Sequence, residues 1–231
     1  MCKDFSCVVT QSHQVFWKRG TSSHDHIIEL FKADNPQLTD SRHVKVEITP
    51  DKGYLYPDGG WTLKVDEDET PSWFTGAHKK ECMRSLEQWK KEVYALINLE
   101  EARNLINPLK LLPSEVTETD IENLKKWASV GVSVLASVWA SVRDSVSASV
   151  GDSVWASVWV SVLDSVLDSV WASVRDSVRA YTGSLFNIWG GDYKYQPIVD
   201  LWKRGFVASF DDKTWRLHSG ENAAIVYEWQ S

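Results

Sequence analysis

The chain has 231 residues, a formal net charge of −7 at pH 7 and a hydrophobic fraction of 43%, so it can bury a core in one or two domains. The acidic balance argues against a nucleic-acid binder that neutralises phosphates, and no apolar run approaches the length of a membrane span. Its three cysteines, Cys2, Cys7 and Cys82, contain no CxxC motif, which favours a reducing compartment over a disulfide framework.

Residues 1–75 predict an α+β domain. We expect a strand within CVVTQSHQVFW and then a short helix over TSSHDHIIELFK, with Ser22 or Ser23 as its N-cap. HVKVEITP and WTLKVDED both alternate apolar and polar residues, which predicts two half-buried strands that pair with each other.

Residues 76–128 predict a helical connector. The stretch PSWFTGAHKKECMRSLEQWKKEVYALI places Leu86, Trp89 and Val93 on one face of an amphipathic helix. A second helix is expected over TETDIENLKKWA. It leads into the next segment, and its expected role is to cap the first coil of that segment.

Residues 129–180 repeat Ser-Val-x-x thirteen times without a break. On one long α-helix the valine stripe would drift roughly 40° per repeat, so no single surface could cover it. On strands, every valine shares one face. The repeat therefore predicts a β-solenoid of short strands that stack in coils, with an α-helical form and disorder as the rival interpretations.

A shift of four repeats aligns the bulky residues of the third slot, which suggests a sixteen-residue coil; recent duplication of a sixteen- or thirty-two-residue block would give the same matches. Asp in the fourth slot is expected at coil corners, because a buried unpaired carboxylate is costly. The aligned residues form the predicted outward ladder, a partner-binding surface that consists of Trp139, Arg143, Trp155, Trp159, Trp171 and Arg175.

Residues 181–231 predict a small C-terminal cap. PIVDLWKRG reads as a helix that ends at Gly205, a residue type that suits a helix C-terminus. FVASFDDKTWRLH has the pattern of a hairpin, and AAIVYEW that of a final strand.

Three groups of residues could carry chemistry. His24 and His26 flank Asp25 at a helix start, where side chains two residues apart point about 200° apart, so a capped first turn outweighs a metal site. Cys82 lies four residues after His78, as a nucleophile pair would, but without a clear third group. The acidic run Asp66–Glu69 could hold a cation, although a solvated loop is the simpler interpretation. We therefore expect no cofactor, no metal and no enzymatic activity.

The flanks resemble a set of uncharacterised phage- and prophage-associated proteins in which similar flanks enclose short Ser-Val-rich repeats. The resemblance rests on FWKRGTSSHDHIIELF, VKVEITPDKG, WTLKVDEDETPSWF, YTGSLF and DLWKRGFVASFDDKTWRLH. It implies an architecture and a phage or mobile-element context, and it assigns no functional residue. The first residues do not resemble a signal peptide. Together with the resemblance, this suggests that the protein lies in the cytoplasm of a bacterial or archaeal host, or in a virion.

These observations lead to three functional hypotheses. The first is a non-enzymatic structural or binding module that presents the outward ladder to a protein partner or to another copy of itself. The second is an inhibitor of a host defence or nucleic-acid enzyme that acts by acidic surface mimicry. The third is an enzyme with its site in the N-terminal domain.

Overall fold

The computed structural model describes the backbone of residues 5–39, 42–51, 59–112, 114–130, 140–142, 144–146, 150–152, 154–156, 171–211 and 213–230, and all their side chains except those of 171–173. The chain divides into two compact units. The first unit draws on 1–96 and 143–151, and the second on 97–142 and 152–231.

The first unit contains a four-stranded antiparallel sheet. Its strands are β1 (Phe5–Thr10), β2 (Val15–Phe16), β3 (His43–Pro50) and β4 (Trp61–Val65), in the order β2-β1-β3-β4. The two alternating segments form β3 and β4 and pair as predicted. The expected first strand is instead two strands, because the chain reverses between them at His13, which has a φ of 66°.

Helices α1 (His24–Phe31) and α2 (Gly76–Tyr94) cover opposite faces of this sheet. Trp89 of α2 contacts Phe5 with ring centroids 5.6 Å apart, and Ile27 of α1 packs in a cluster with Val8. Phe5 and Val8 point to opposite faces because strand side chains alternate. Both faces of β1 are therefore covered, and all six of its residues are buried.

Ser23 caps α1, as one of the two predicted N-caps. Its hydroxyl accepts a hydrogen bond from the backbone N–H of His26 at 3.3 Å, which satisfies one of the donors left over at a helix start. This cap fixes the point at which α1 begins, and so places His24 at its first position.

The described residues of the second unit include four longer helices, short helical stretches in the repeat, and a three-stranded antiparallel sheet. The helices are α3 (Leu99–Arg103), α4 (Glu118–Val130), α5 (Trp171–Ser184) and α6 (Gln196–Lys203), and the sheet has the order β5 (Val207–Phe210), β6 (Thr214–Ser219), β7 (Ala224–Gln230). The predicted C-terminal helix, hairpin and final strand are thus confirmed.

The core of the second unit is centred on two stacked aromatic rings. Tyr181 and Trp202 lie with centroids 5.6 Å apart, and both are fully buried. Their polar atoms converge on Ile106, whose N–H donates to the Tyr181 hydroxyl at 3.2 Å and whose carbonyl accepts from Trp202 Nε1 at 2.9 Å. Because the polar atoms of both side chains have hydrogen-bond partners, the two rings can be fully buried. Their contact packs α5 against α6.

The prediction of a central β-solenoid is wrong. The protein is α+β with two small antiparallel sheets, and the described part of the repeat contains no strand. Residues 140–142, 144–145, 150–152 and 154–156 are helical, and the last repeats belong to α5. The α-helical form, one of the two rival interpretations, is the one that the described residues support.

The error came from the assumption of one long helix. A short helix such as α5 holds only a few repeats, so the valine stripe turns too little to leave the buried side. Five valines of the second slot are buried, namely Val142, Val146, Val150, Val174 and Val178. Of the fourth-slot carboxylates, Asp144 and Asp152 are exposed and Asp176 on α5 is half-buried 3.6 Å from Arg179, so none of them needs a coil corner.

Gly20 allows the loop that precedes α1 to approach the backbone of Asp144 in the repeat closely. Its φ is +84°, and a Cβ on it would lie 2.2 Å from the backbone oxygen of Asp144. Only glycine avoids both the left-handed strain and this clash.

Candidate functional site

Three aromatic side chains form a row across the sheet of the second unit. Phe210 of β5 lies opposite Trp215 of β6, and Trp215 lies opposite Trp229 of β7. The first two rings stack with centroids 4.7 Å apart and planes at 21°. Lys125 Nζ lies 5.7 Å from the centroid of the Trp229 ring, a cation–π distance. Phe210, Trp215 and Trp229 are called the aromatic row below.

The row ends at β7, an edge strand. Among the described residues, β7 pairs with β6 and with no other strand. Leu217 pairs with Tyr227 and His218 with Ile225, so Val226 has no counterpart on β6 and forms a bulge. Ile225 and Val226 are 53% and 40% exposed. An exposed apolar edge is a template on which another strand can pair.

Arg216 anchors the charges of this sheet. Its Nε donates to Glu228 on β7 at 2.7 Å, and its Nη1 donates to Asp211 in the hairpin turn. The hydrogen bond from Arg216 holds the pKa of Asp211 below its usual range. Glu228 therefore reaches the exposed edge with its charge already partly neutralised.

A serine and a histidine meet within the same sheet, but they are buried. Ser209 Oγ lies 2.7 Å from His218 Nε2, and His218 Nδ1 lies 2.9 Å from the carbonyl oxygen of Ala223. Since a carbonyl only accepts, Nδ1 carries the hydrogen and Nε2 accepts from the serine. Both residues are only 5% exposed. A substrate could not reach this pair, so its role is to fix β5 against β6.

The described residues include only half of the predicted outward ladder. Trp139, Arg143 and Trp159 lie outside them. Trp155 is half-buried in the helical stretch 154–156, and Arg175 is exposed on α5, where the backbone of Trp171 forms the first position. With helices in place of coils, the sixteen-residue alignment that defined the ladder loses its geometric basis.

The sequence candidates of the first unit have separate partners. His26 is exposed and His24 is buried, so the two imidazoles do not converge. His78 Nδ1 accepts from the N–H of Thr75 at 3.1 Å, and its Nε2 lies 3.3 Å from the carbonyl oxygen of Gln11. Cys82 contacts the thiol of Cys7. The candidate Cys82–His78 pair, which the sequence analysis did not favour, has no support from the contacts of these side chains.

The acidic run contributes one residue to a cluster that the sequence did not reveal. Asp66 Oδ2 lies 3.3 Å from Nδ1 of His24. The ligand atoms of His24, Glu47 and Asp66 all lie within 4.8 Å of one another. Glu47 was not predicted, although the alternation of β3 already places it on the strand's polar face.

Comparisons of the chain with protein-family models, with curated proteins and with solved structures gave no match. Within the residues that the structure describes, no helix is both long and apolar enough to cross a membrane.

Proposed function

We propose that this protein is a non-enzymatic self-associating module, in which two copies pair through β7 to extend the three-stranded sheet. The observation that carries the proposal is the exposed apolar edge of β7, which continues the aromatic row to the rim of the sheet. The outward ladder of the repeat is not needed for this proposal.

The sequence of β7 is self-complementary. An antiparallel pairing of two β7 strands about a twofold axis at Tyr227 places Val226 opposite Glu228. This register opposes no like charges, and it sets a β-branched side chain beside Glu228 in each half of the pairing. Arg216 partly compensates Glu228 in each copy.

The contact is small, which favours a reversible association. One edge strand from each copy buries less than the area of a standard stable interface, so the dimer should depend on concentration. The net charge of −7 per chain adds a long-range repulsion that salt screens. Association should therefore strengthen as ionic strength rises.

Light scattering across a concentration series tests the proposal by measuring the mass of the protein in solution. Charge variants at Val226 then test which residues lie opposite each other in the two β7 strands. Val226→Asp sets two symmetry-related carboxylate pairs opposite each other; at about 0.2–1 kcal/mol per pair, dimerisation should weaken roughly 2- to 30-fold. Val226→Lys places an ammonium opposite Glu228 and should preserve or strengthen the dimer. Leu112→Asp is the matched control, since Leu112 is an exposed apolar residue (89%) elsewhere in the unit.

Two results would overturn the proposal. A strict monomer at every concentration and ionic strength would exclude self-association. Equal weakening by Val226→Asp and Val226→Lys would exclude the pairing about Tyr227.

A further inference from the structure

The first unit brings a histidine and two carboxylates together from three elements. His24 is the first residue of α1, Glu47 lies in β3, and Asp66 follows the last residue of β4. Glu47 pairs with Ser6, and Lys45 with Val8, so both lie on the sheet face that α1 covers. The start of α1 and the end of β4 thus meet over the polar side of β3.

The hydrogen bond of His24 orients its imidazole for ligation. Nε2 lies 3.1 Å from the carbonyl oxygen of Val46, and a carbonyl only accepts, so Nε2 carries a hydrogen. In the neutral ring, Nδ1 then directs its lone pair at Asp66 Oδ2, 3.3 Å away. A metal-binding histidine is commonly held in this way, by a backbone carbonyl at its other nitrogen.

A lone pair that faces a carboxylate is favourable only with a cation between the two. A proton on Nδ1 or a bound metal ion would supply one. A metal ion leaves the ring neutral and places the positive charge among the carboxylates. A metal ion would also engage Glu47, whose carboxylate belongs to the same cluster and which a proton on Nδ1 would leave aside.

The distances fit a tetrahedral ion. Ligand atoms at about 2.0–2.2 Å from a tetrahedral Zn²⁺ are about 3.4 Å apart, and His24 Nδ1 and Asp66 Oδ2 are already separated by 3.3 Å. Glu47 offers a third ligand atom, since the ligand atoms of the three residues all lie within 4.8 Å of one another. Three protein ligands leave one position for water.

The surroundings are negative. Lys45 Nζ is held by Asp25 Oδ1 at 3.0 Å, and this hydrogen bond raises the pKa of Lys45. Glu67 accepts from the Lys45 backbone N–H at 3.2 Å. Asp25, Glu47, Asp66 and Glu67 against Lys45 and Lys64, the cross-strand partner of Glu47, give four negative charges and two positive, a formal −2. Such a field attracts a divalent cation.

We infer that His24, Glu47 and Asp66 form a binding site for a divalent transition-metal ion of the Zn²⁺ class. The imidazole ligand favours Zn²⁺ over Mg²⁺ and Ca²⁺, which prefer oxygen donors. This site lies in the first unit and is independent of the proposed self-association through β7.

Isothermal titration calorimetry, in which ZnCl₂ is added to the metal-free, full-length protein, tests the inference. We expect one equivalent to bind, and Mg²⁺ to bind far more weakly. Loss of a residue that only supports a metal ligand weakens metal binding about 10- to 100-fold. Asp66→Asn and Glu47→Gln remove ligands themselves, so each should weaken binding by more than this. His24→Gln should abolish it. His26→Gln and Asp68→Asn are matched controls that change exposed neighbours of the same types and should bind as the parent does.

Co²⁺ substitution identifies the ligands independently of affinity. A tetrahedral d–d spectrum without a thiolate charge-transfer band would support nitrogen and oxygen ligands and would exclude the cysteines. If His24→Gln does not fold, Asp66→Asn decides the matter, since the Asp66 side chain is 48% exposed and its loss should not disturb the core. No binding, or binding that Asp66→Asn and Glu47→Gln leave unchanged, would overturn the inference.

Discussion

Asp120 and Arg204 join the start of α4 to the end of α6 through a buried carboxylate. Arg204 Nε donates to Asp120 Oδ1 at 2.7 Å, and Asp120 is fully buried. The other oxygen, Oδ2, accepts from the N–H of Thr117 at 2.8 Å, while the Thr117 hydroxyl accepts from the N–H of Asp120 at 3.3 Å. This reciprocal pair is a capping box, so one carboxylate both caps a helix and fixes its neighbour.

Arg204→Ala should destabilise the second unit. The substitution removes the charged donor and leaves a buried carboxylate oxygen without it, which should lower the free energy of unfolding by about 1.5–3 kcal/mol. Urea unfolding at neutral pH measures the change. Arg84→Ala removes a comparable contact, Arg84 to Glu81 at 2.7 Å, from an exposed helix surface, and should cost less than about 0.5 kcal/mol. Equal losses for the two variants would contradict the account.

Arg175→Pro tests whether the repeat is helical. Arg175 is exposed in the interior of α5, so Arg175→Ala should change the free energy of unfolding little. Proline there removes a backbone hydrogen bond and clashes with the preceding turn, at a cost of about 3 kcal/mol or more. Thermal unfolding followed by circular dichroism compares the two. Similar stabilities for the alanine and proline variants would argue against a helix at this position.

Stability should fall in mild acid because of His218. Burial lowers the pKa of His218 below its ordinary value of 6.5, so the unfolded chain takes up a proton first as the pH falls. The folded state therefore loses stability as the pH drops through about 6.5, by up to about 1.4 kcal/mol per pH unit from this residue. Denaturant midpoints between neutral and mildly acidic pH measure the slope. His218→Gln should reduce that slope and His26→Gln should not; the reverse order would be inconsistent with this assignment.

The thiols of Cys7 and Cys82 should resist alkylation in the folded protein. Both are fully buried, and desolvation, together with the neighbouring Cys82 thiol, raises the pKa of Cys7 well above its usual range. Little thiolate is then available as a nucleophile at neutral pH. Iodoacetamide treatment followed by peptide mass mapping should label both residues only after unfolding. Rapid labelling of Cys82 in the native state would reopen the hypothesis of a catalytic cysteine.

Local patterns predicted the elements of both sheets well. β3 and β4 followed from period-two alternation, and the C-terminal hairpin from two alternating runs around a polar turn. In β3 and β4 the burial alternates along the strand as the sequence does, whereas β5 and β6 are buried in runs and their pairing followed from the turn between them. The helix start at Ser23 likewise follows from a local hydrogen bond that the residue type itself supplies.

The repeat was mispredicted because its period alone does not say where a helix ends. Four-residue spacing is compatible with strands of any length and with helices that stay short. Burial of Val174 and Val178 on α5 depends on tertiary partners that the repeat does not encode. The same holds for Glu47 and Asp66, whose proximity to His24 depends on strand pairing across more than one loop.

Hydrogen–deuterium exchange of β7 at low and high protein concentration tests the central claim most directly. Residues 224–230 should gain protection as the protein associates, because a second β7 strand then bonds their outward amide groups. β4, an edge strand of the other sheet among the described residues, should exchange at the same rate at both concentrations. Association without any added protection of residues 224–230 would contradict pairing through β7.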